Sequence, residues 1–235
     1  MAIKKTTAEE LFIVEEDWRT SRYHFSFADY ADPMNDRFGV LRALNDELIQ
    51  PKSGFTLHPH KEMEIISYCV QGELSHSDSM GNHGILQSGD VQYMCAGAGV
   101  EHAEMNNSIE KTLRFMQIWI LPDKLHLSPQ YGHKHFSEHS RLNKLLLVAS
   151  SNRENGAIKI NQDANIYISK IQKGKSIRFE QPQNRQNYLV CIDGNVSVNR
   201  VALSHHDSAR IYGETELIFE ALEDSHLLLV EMAEA

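Results

Sequence analysis

The chain of 235 residues has a hydrophobic content of 41% and a formal net charge of −9, ordinary values for a globular protein with one large or two small domains. Acidic residues are spread along it and lysine and arginine form no cluster, so direct nucleic-acid binding, which requires neutralised phosphates, is disfavoured. No stretch has the unbroken apolar length that crosses a bilayer, and no apolar core follows the basic N-terminus, so we expect a cytoplasmic protein without a membrane partner.

Short strands separated by turn signals fill the first half of the chain and predict an all-β barrel or sandwich. Near the N-terminus, residues 7–10 fit a capped short helix, while residues 11–14 fit an edge strand equally well. Residues 38–49 predict a strand followed by a turn at Asn45-Asp46. Further strands are predicted at residues 64–71, 91–94 and 113–121.

Two pairs of residues in this half form a metal-binding pattern. His58 and His60 point to the same side of an extended strand, because strand side chains alternate, and Glu62 and Glu64 continue the same parity. His102 and Glu104 repeat the spacing after the glycine-rich bend at residues 96–99. Three imidazoles and one carboxylate suit a first-row divalent metal better than calcium or magnesium. Parity alone permits either Glu64 or Glu104 as the carboxylate.

Other histidines and aromatic residues carry weaker predictions. His76 and His83 lie outside the ligand register, so we expect them to be solvated. Phe25, Phe55 and Tyr93 are expected in the core or barrel lining, where one or two could floor a substrate pocket. The three cysteines include no C-x-x-C pair and predict buried free thiols: Cys69, Cys95 and Cys191.

The second half repeats the strand style without the metal pattern. Residues 126–145 carry four histidines expected at the surface and are interpreted as a linker between a domain at 1–125 and another at 146–235. The second domain contains no H-x-H, and its adjacent His205 and His206 would face opposite sides of a strand. We therefore expect a duplicated fold with the chemistry in the first copy only.

Several motifs resemble the cupin superfamily and, within it, the pirin family. Gly54, His58, His60, Glu64 and Gly72 resemble the first cupin motif, and the second is matched by Gly89, Gly97, His102 and Asn106. The blocks HPHKEMEIISYCVQGELSHSDSMGN and SGDVQYMCAGAGVEHAEMN are similar to pirins, as are FSFADYADP and FMQIWILP. The resemblance covers roughly residues 22–122.

The resemblance implies an all-β bicupin: two jelly-roll-like β-barrel domains (double-stranded β-helices) stacked face to face, with metal in the N-terminal one. The implied ligands are His58, His60, His102 and Glu104, with Glu64 just outside them. Iron is the expected ion, and zinc, copper, manganese, nickel or cobalt would also suit imidazole donors.

The resemblance further implies quercetin 2,3-dioxygenase activity, in which Glu104 removes a flavonol proton and dioxygen cleaves the ring with release of carbon monoxide. We expect a monomer whose partners are a flavonol-like small molecule and dioxygen. One alternative is a metal-dependent regulatory protein, a transcription cofactor or redox sensor, that acts through protein partners. Another is a cupin that acts on an unrelated small metabolite.

Overall fold

A computed structural model describes residues 2–152 and 156–234, and nearly all regular structure in them is β-strand, as predicted. The strands are numbered β1 to β22 in chain order. The helices are short: two 3₁₀ helices at Ala8–Glu10 and Pro33–Asn35, and α1 at Glu138–Arg141. None of the helices in the described residues has the length and apolar character needed to span a membrane.

An N-terminal unit comprises Phe12–Phe136 together with Ile160–Gln162. It contains β2 (Phe12–Glu16), β3 (Arg19–Tyr23), β4 (Leu41–Ile49), β5 (Ser53–His60), β6 (Glu64–Gln71), β7 (Glu73–Asp78), β8 (His83–Gln87), β9 (Asp90–Cys95), β10 (Val100–Asn106), β11 (Leu113–Ile120) and β12 (Gln130–His135). They form a seven-stranded sheet in the order β12-β9-β6-β11-β4-β3-β2 and a four-stranded sheet in the order β5-β10-β7-β8.

A C-terminal unit comprises Met1–Leu11, Ser137–Lys159 and Asp163–Ala235. Its described strands are β1 (Ala2–Thr6), β13 (Leu146–Ser150), β14 (Ile158–Lys159), β15 (Ala164–Ile171), β16 (Ser176–Glu180), β17 (Arg185–Asp193), β18 (Asn195–Val198), β19 (Val201–Ser204), β20 (Ser208–Tyr212), β21 (Glu216–Ala221) and β22 (Ser225–Ala233). Again there is a seven-stranded sheet, β1-β20-β17-β22-β15-β13-β14, and a four-stranded sheet, β16-β21-β18-β19. The same pair of sheets therefore occurs in both units.

Each unit buries apolar side chains from both of its sheets. In the N-terminal unit, Ile49, Cys69 and Phe115 from the large sheet pack with Leu74 and Leu86 from the small one. The C-terminal unit has a larger cluster of the same kind that includes Cys191. All three cysteines are buried and free, which confirms the prediction from the sequence. Apolar burial of this kind is the main favourable contribution to folding.

Three local features differ from or refine the predictions. The turn expected at Asn45-Asp46 is wrong: β4 continues to Ile49, because β3 and β11 pair with it on both sides. At the N-terminus both alternatives occur in succession, since Thr7 caps the first 3₁₀ helix through Glu10 and β2 begins at Phe12. Part of the expected linker forms β12, which pairs with β9.

Glu47 on β4 is a fully buried carboxylate whose state should depend on pH. Ser21 donates a hydrogen bond to it. Burial raises its pKa from the ordinary 4.5 to about 7, against the opposing effect of the Ser21 hydrogen bond. The folded state thus favours the protonated form. The stability that this carboxyl contributes is fully present below pH 4.5 and is lost as the pH rises through about 7.

We predict that the free energy of unfolding of the wild type falls relative to Glu47→Gln between about pH 5 and about pH 8, by about 3 kcal/mol at most, because one pKa unit corresponds to about 1.4 kcal/mol. Urea unfolding at both pH values measures the difference. Glu73→Gln, at an exposed position on β7, is the control substitution. Identical pH dependence of the wild type and Glu47→Gln would contradict the prediction.

Candidate metal centre

The structure brings together the three histidines singled out in the sequence. His58 and His60 lie on β5, and His102 lies on the adjacent antiparallel β10. His102 is directly opposite His58, and Val100 is opposite His60. One ring nitrogen of each histidine lies within 4.8 Å of the corresponding nitrogens of the other two. The three imidazoles therefore converge as a metal-binding set would require.

A β-bulge in β5 determines which side chains join the histidines. His102 pairs with His58 but Glu104 pairs with Phe55, so Thr56 and Leu57 together lie opposite the single residue between them on β10. Phe55 is consequently brought beside His58, with ring centroids 6.4 Å apart. Strict strand alternation would have placed Phe55 on the opposite face from His58.

The electrostatics of the cluster favour the neutral form of His60 and His102. Burial, followed by the proximity of the other histidines, lowers the pKa of both His60 and His102 to about 3. The Nδ1–H group of His58 donates a 2.7 Å hydrogen bond to the carbonyl oxygen of Thr56, which leaves its Nε2 lone pair free. Within the described residues neither ring nitrogen of buried His102 has a hydrogen-bond partner. Neutral nitrogens with free lone pairs fit a divalent transition metal.

Glu104 is buried on β10, two residues after His102, and three side-chain donors hold it. Its carboxylate accepts from Ser67 Oγ at 2.8 Å, Gln92 Nε2 at 3.3 Å and Gln117 Nε2 at 2.5 Å. Burial raises the pKa of Glu104, while the hydrogen bond from Ser67 opposes that rise. A carboxylate offers about four acceptor positions, so three donors leave capacity for a further partner.

These donors belong to a row of polar residues that the sequence analysis missed. Asn45, Gln117, Ser67 and Gln92 lie opposite one another on β4, β11, β6 and β9. Directly opposed residues of antiparallel strands share a face of the sheet, so the row crosses four strands on one side. A signal was present, since Ser67, Gln92 and Gln117 each lie between two apolar or aromatic residues of their strand.

Gly54 on β5 and Gly97 in the bend before β10 lie where another backbone segment approaches too closely for a side chain. A Cβ atom on Gly54 would lie 2.3 Å from the carbonyl oxygen of Glu104, so only glycine permits this contact between β5 and β10. Gly97 has a φ of +44°, and its Cβ would lie 1.9 Å from the carbonyl oxygen of Leu127. The predicted bend before His102 is therefore confirmed as a tight turn.

The expectation that Glu62 and Glu64 continue the parity of His58 and His60 is wrong. The chain leaves β5 after His60, and Glu62 adopts a left-handed conformation with φ +50°. Glu64 begins the next strand, where its carboxylate accepts hydrogen bonds from the backbone N–H of Asn161 at 2.9 and 3.0 Å. The side-chain amide of Asn161 donates to the Tyr93 hydroxyl at 2.9 Å, which links Tyr93 with Glu64.

The expectation that His76 is solvated is also wrong. Its side chain is buried on β7, directly opposite Glu104. His76, His102 and Glu104 form a second group whose ligand atoms all lie within 4.8 Å of one another. His83 is exposed, as expected. Linear spacing could not find His76, because strand pairing alone brings it to the site.

Aromatic side chains surround part of the cluster. The indole of Trp119 meets the His60 ring edge to face, with centroids 4.8 Å apart, and its Nε1 donates to Gln117. Phe25 and Tyr93 are buried, as expected of core residues, and Phe55 is half-buried.

A surface depression of about 420 Å³ adjoins His60 and has these lining residues: Pro59, His60, Lys61, Ser79, Gly99, Val100 and Glu101. His60 is the residue of the cluster that borders this depression.

Comparisons with known proteins match this chain over nearly its whole length. A family model described as Pirin matches residues 5–120, and one described as Quercetinase C-terminal cupin domain matches residues 147–232. A pirin-like protein of Caulobacter vibrioides is 39% identical over 232 residues, covering 98% of this chain and 100% of that protein. A quercetin 2,3-dioxygenase of Escherichia coli K12 is 35% identical over 215 residues, covering 92% of each.

A solved structure is similar to the entire chain. The crystal structure of the bacterial pirin YhhW from Escherichia coli, in complex with nickel(II), has a TM-score of 0.94 and 33% sequence identity. The comparison covers 100% of both chains. The arrangement of sheets described above is therefore that of a bicupin.

We predict that Gln117→Leu weakens metal binding by about 10- to 100-fold, because Glu104 would lose a hydrogen bond that orients its carboxylate. The dissociation constant for Co²⁺ or Zn²⁺, measured by competition with a chromophoric chelator, tests this. Gln87→Leu, at an exposed position on β8, is the matched control. Unchanged affinity in folded Gln117→Leu protein would show that the hydrogen bond does not support a metal ligand.

Proposed function

Since the chain belongs to the pirin family, we propose that it is a metal-dependent dioxygenase that cleaves flavonols such as quercetin. The observation that carries the proposal is the convergence of the three imidazoles of His58, His60 and His102, of which His60 borders a surface depression. Such a set can bind a divalent metal ion while leaving coordination positions for a small molecule. The similarity to the Escherichia coli quercetin 2,3-dioxygenase supports the choice of substrate.

We propose His58, His60, His102 and Glu104 as the residues that hold the ion, and iron as the ion itself. Imidazole and carboxylate donors are compatible with several first-row metals, and nickel(II) is bound by the similar pirin YhhW. When bound, the ion would supply Lewis acidity that lowers the pKa of a flavonol 3-hydroxyl and would support reaction with dioxygen.

Glu104 is the proposed acceptor of the proton from that hydroxyl. Burial raises the pKa of its carboxyl, and a carboxylate with a raised pKa is a stronger base near neutral pH. The hydrogen bonds from Ser67, Gln92 and Gln117 keep the group oriented during the transfer. Glu64 is a weaker candidate, because its carboxylate is bound to the backbone N–H of Asn161 and, within the described residues, it belongs to neither group of converging ligand atoms.

The overall reaction balances without a further reductant. One molecule of dioxygen and one flavonol give one depside and one carbon monoxide. The two bonds that join the carbon bearing the 3-hydroxyl to its ring neighbours break, and that carbon leaves as carbon monoxide. The indole of Trp119 packs against the His60 ring and adds an aromatic surface beside the site.

We predict that iron-loaded protein consumes dioxygen and releases carbon monoxide from quercetin in a one-to-one ratio. His102→Ala should lower the rate by at least about 100-fold, because ligand loss removes the ion that activates the substrate. An oxygen electrode and a haemoglobin-based carbon monoxide assay measure the two quantities. Prior treatment with a chelator should have the same effect as His102→Ala, and re-addition of Fe²⁺ should reverse it.

The control substitution is His133→Ala, at an exposed histidine on β12. Metal-loaded protein that releases no carbon monoxide from quercetin would refute the proposed substrate. If the same protein still bound metal through His102, the site would serve another metabolite or a regulatory partner.

A further inference from the structure

A chain of aromatic side chains runs from the candidate metal centre toward the surface of the N-terminal unit. The Trp119 indole contacts the His60 ring, with centroids 4.8 Å apart. Phe27 lies edge to face against Trp119 at 5.0 Å and against Tyr23 at 5.1 Å. The proposed function uses Trp119 only as an aromatic surface and gives Tyr23 and Phe27 no role.

Two more rings continue this aromatic chain to solvent. Phe12 on β2 stacks on Tyr30 with centroids 4.6 Å apart and lies 6.2 Å from Tyr23. Phe12 is 38% exposed and Tyr30 is half-buried, whereas Tyr23 is 1% exposed. Successive ring contacts therefore connect the candidate ligand His60 with the protein surface.

Only some of these rings can be oxidised readily. Tryptophan and tyrosine lose one electron far more easily than phenylalanine, so Trp119, Tyr23 and Tyr30 are the redox-active members. The two phenylalanines fill the space between them and provide the contact through which an electron can pass. The Nε1–H of Trp119 donates to the side-chain oxygen of Gln117 at 3.1 Å, and an amide oxygen is a very weak base. Oxidised Trp119 therefore keeps its positive charge until it takes an electron from the next donor.

Tyr23 has the proton acceptor that a buried phenol needs, because a phenol that loses an electron also loses its proton. Ser21 and Glu47 are directly opposed on β3 and β4, and Ser21 Oγ donates to the Glu47 carboxylate. A hydrogen bond also joins Ser21 to Tyr23. Since the Ser21 proton goes to Glu47, the Tyr23 phenol is the donor to Ser21. Burial raises the pKa of Glu47 to about 7, so this carboxylate can take up a proton near neutral pH.

We propose that Trp119, Tyr23 and Tyr30 form an electron relay that carries oxidising equivalents away from the metal centre to the surface. This inference rests on the metal centre of the proposed function and extends it, since a site that uses dioxygen can also meet peroxide. When a peroxide at the centre takes an electron from Trp119, Tyr23 replaces that electron. The Tyr23 proton moves through Ser21 to Glu47, and an electron from Tyr30 then restores Tyr23.

The electrons balance with hydrogen peroxide as the oxidant and ascorbic acid as the reductant. One hydrogen peroxide takes two electrons and two protons, its O–O bond breaks, and two molecules of water form. One ascorbic acid supplies both electrons to Tyr30 in two steps, loses two protons and becomes dehydroascorbic acid. The proton held by Glu47 returns to Tyr23 with each incoming electron, so the relay ends in its starting state.

Pulse radiolysis of the full chain without added metal tests the relay, because the azide radical oxidises tryptophan by one electron. The tryptophanyl and tyrosyl radicals are followed by their separate absorption bands. In the wild type, tyrosyl absorbance should grow as tryptophanyl absorbance decays, at a rate independent of protein concentration. Trp119→Phe and Tyr23→Phe should lose this phase. Glu47→Gln should slow it, because the proton acceptor is removed.

The matched controls are Trp18→Phe and Tyr131→Phe, whose rings pack elsewhere in the same unit, and both should behave as the wild type does. Phe27→Leu removes a bridging ring and should slow the phase, which provides a second variant beside Tyr23→Phe. Circular dichroism and thermal unfolding establish that each variant is folded. Transfer at the wild-type rate in both Tyr23→Phe and Phe27→Leu would overturn the inference. It would leave flavonol cleavage untouched, because no metal takes part in this measurement.

Peptide mass spectrometry of iron-loaded protein tests the consequence for the metal centre. After exposure to hydrogen peroxide and ascorbic acid, Tyr23→Phe should carry more single-oxygen adducts on His58, His60 and His102 than the wild type. Equal oxidation of these histidines in the two proteins would refute the protective role of the relay. Carbon monoxide release from quercetin, measured on the same preparations, tests the proposed function separately.

Discussion

The pairing of β5 with β10 is the constraint on which the candidate site depends. His58 reaches His102 only because the two residues are directly opposed in an antiparallel ladder. A shift of one residue in either strand would turn a histidine to the other face, since side chains alternate with a period of two. Gly54 permits the close approach of the strands. The bulge at Thr56 and Leu57 shifts the pairing by one residue, so that Glu104 lies opposite Phe55.

Burial of charge is the cost that this register imposes. Glu104 lies among apolar strands, where an unpartnered carboxylate would be strongly unfavourable. The polar row from β6, β9 and β11 offsets that cost by supplying three donors. His60 and His102 avoid the same cost by remaining neutral, which is also the state that binds metal. Burial therefore has two effects on the site. It requires hydrogen-bond donors for Glu104, and it keeps His60 and His102 in the neutral form that binds metal.

The two units share one architecture but differ in the side chains that could bind a metal ion. Each combines a seven-stranded and a four-stranded sheet around an apolar core. Within the described residues, the groups suited to metal binding are His58, His60 and His102, and His76, His102 and Glu104, all in the N-terminal unit. The fold alone thus does not specify the chemistry, which depends on side chains placed on a few strands of one copy.

Local sequence was sufficient to predict the strand-rich class, the free cysteines and the glycine bend before His102. It also identified His58, His60 and His102 as a group, because their two-residue spacing follows from backbone geometry. Side-chain parity alone permitted either Glu64 or Glu104 as the carboxylate of the site. Parity counting failed at Glu62, where a left-handed residue ends the strand and sends Glu64 toward Asn161.

Only the tertiary structure decided which distant residues support the cluster. Asn45-Asp46 has the composition of a turn, but pairing with strands on both sides outweighs that local preference and keeps β4 extended. Ser67, Gln92 and Gln117 are far apart in the chain and meet at Glu104 through strand register. His76 joins them for the same reason. Periodicity in the sequence predicts which face of a strand a side chain occupies. Long-range strand pairing determines which residues lie beside that side chain.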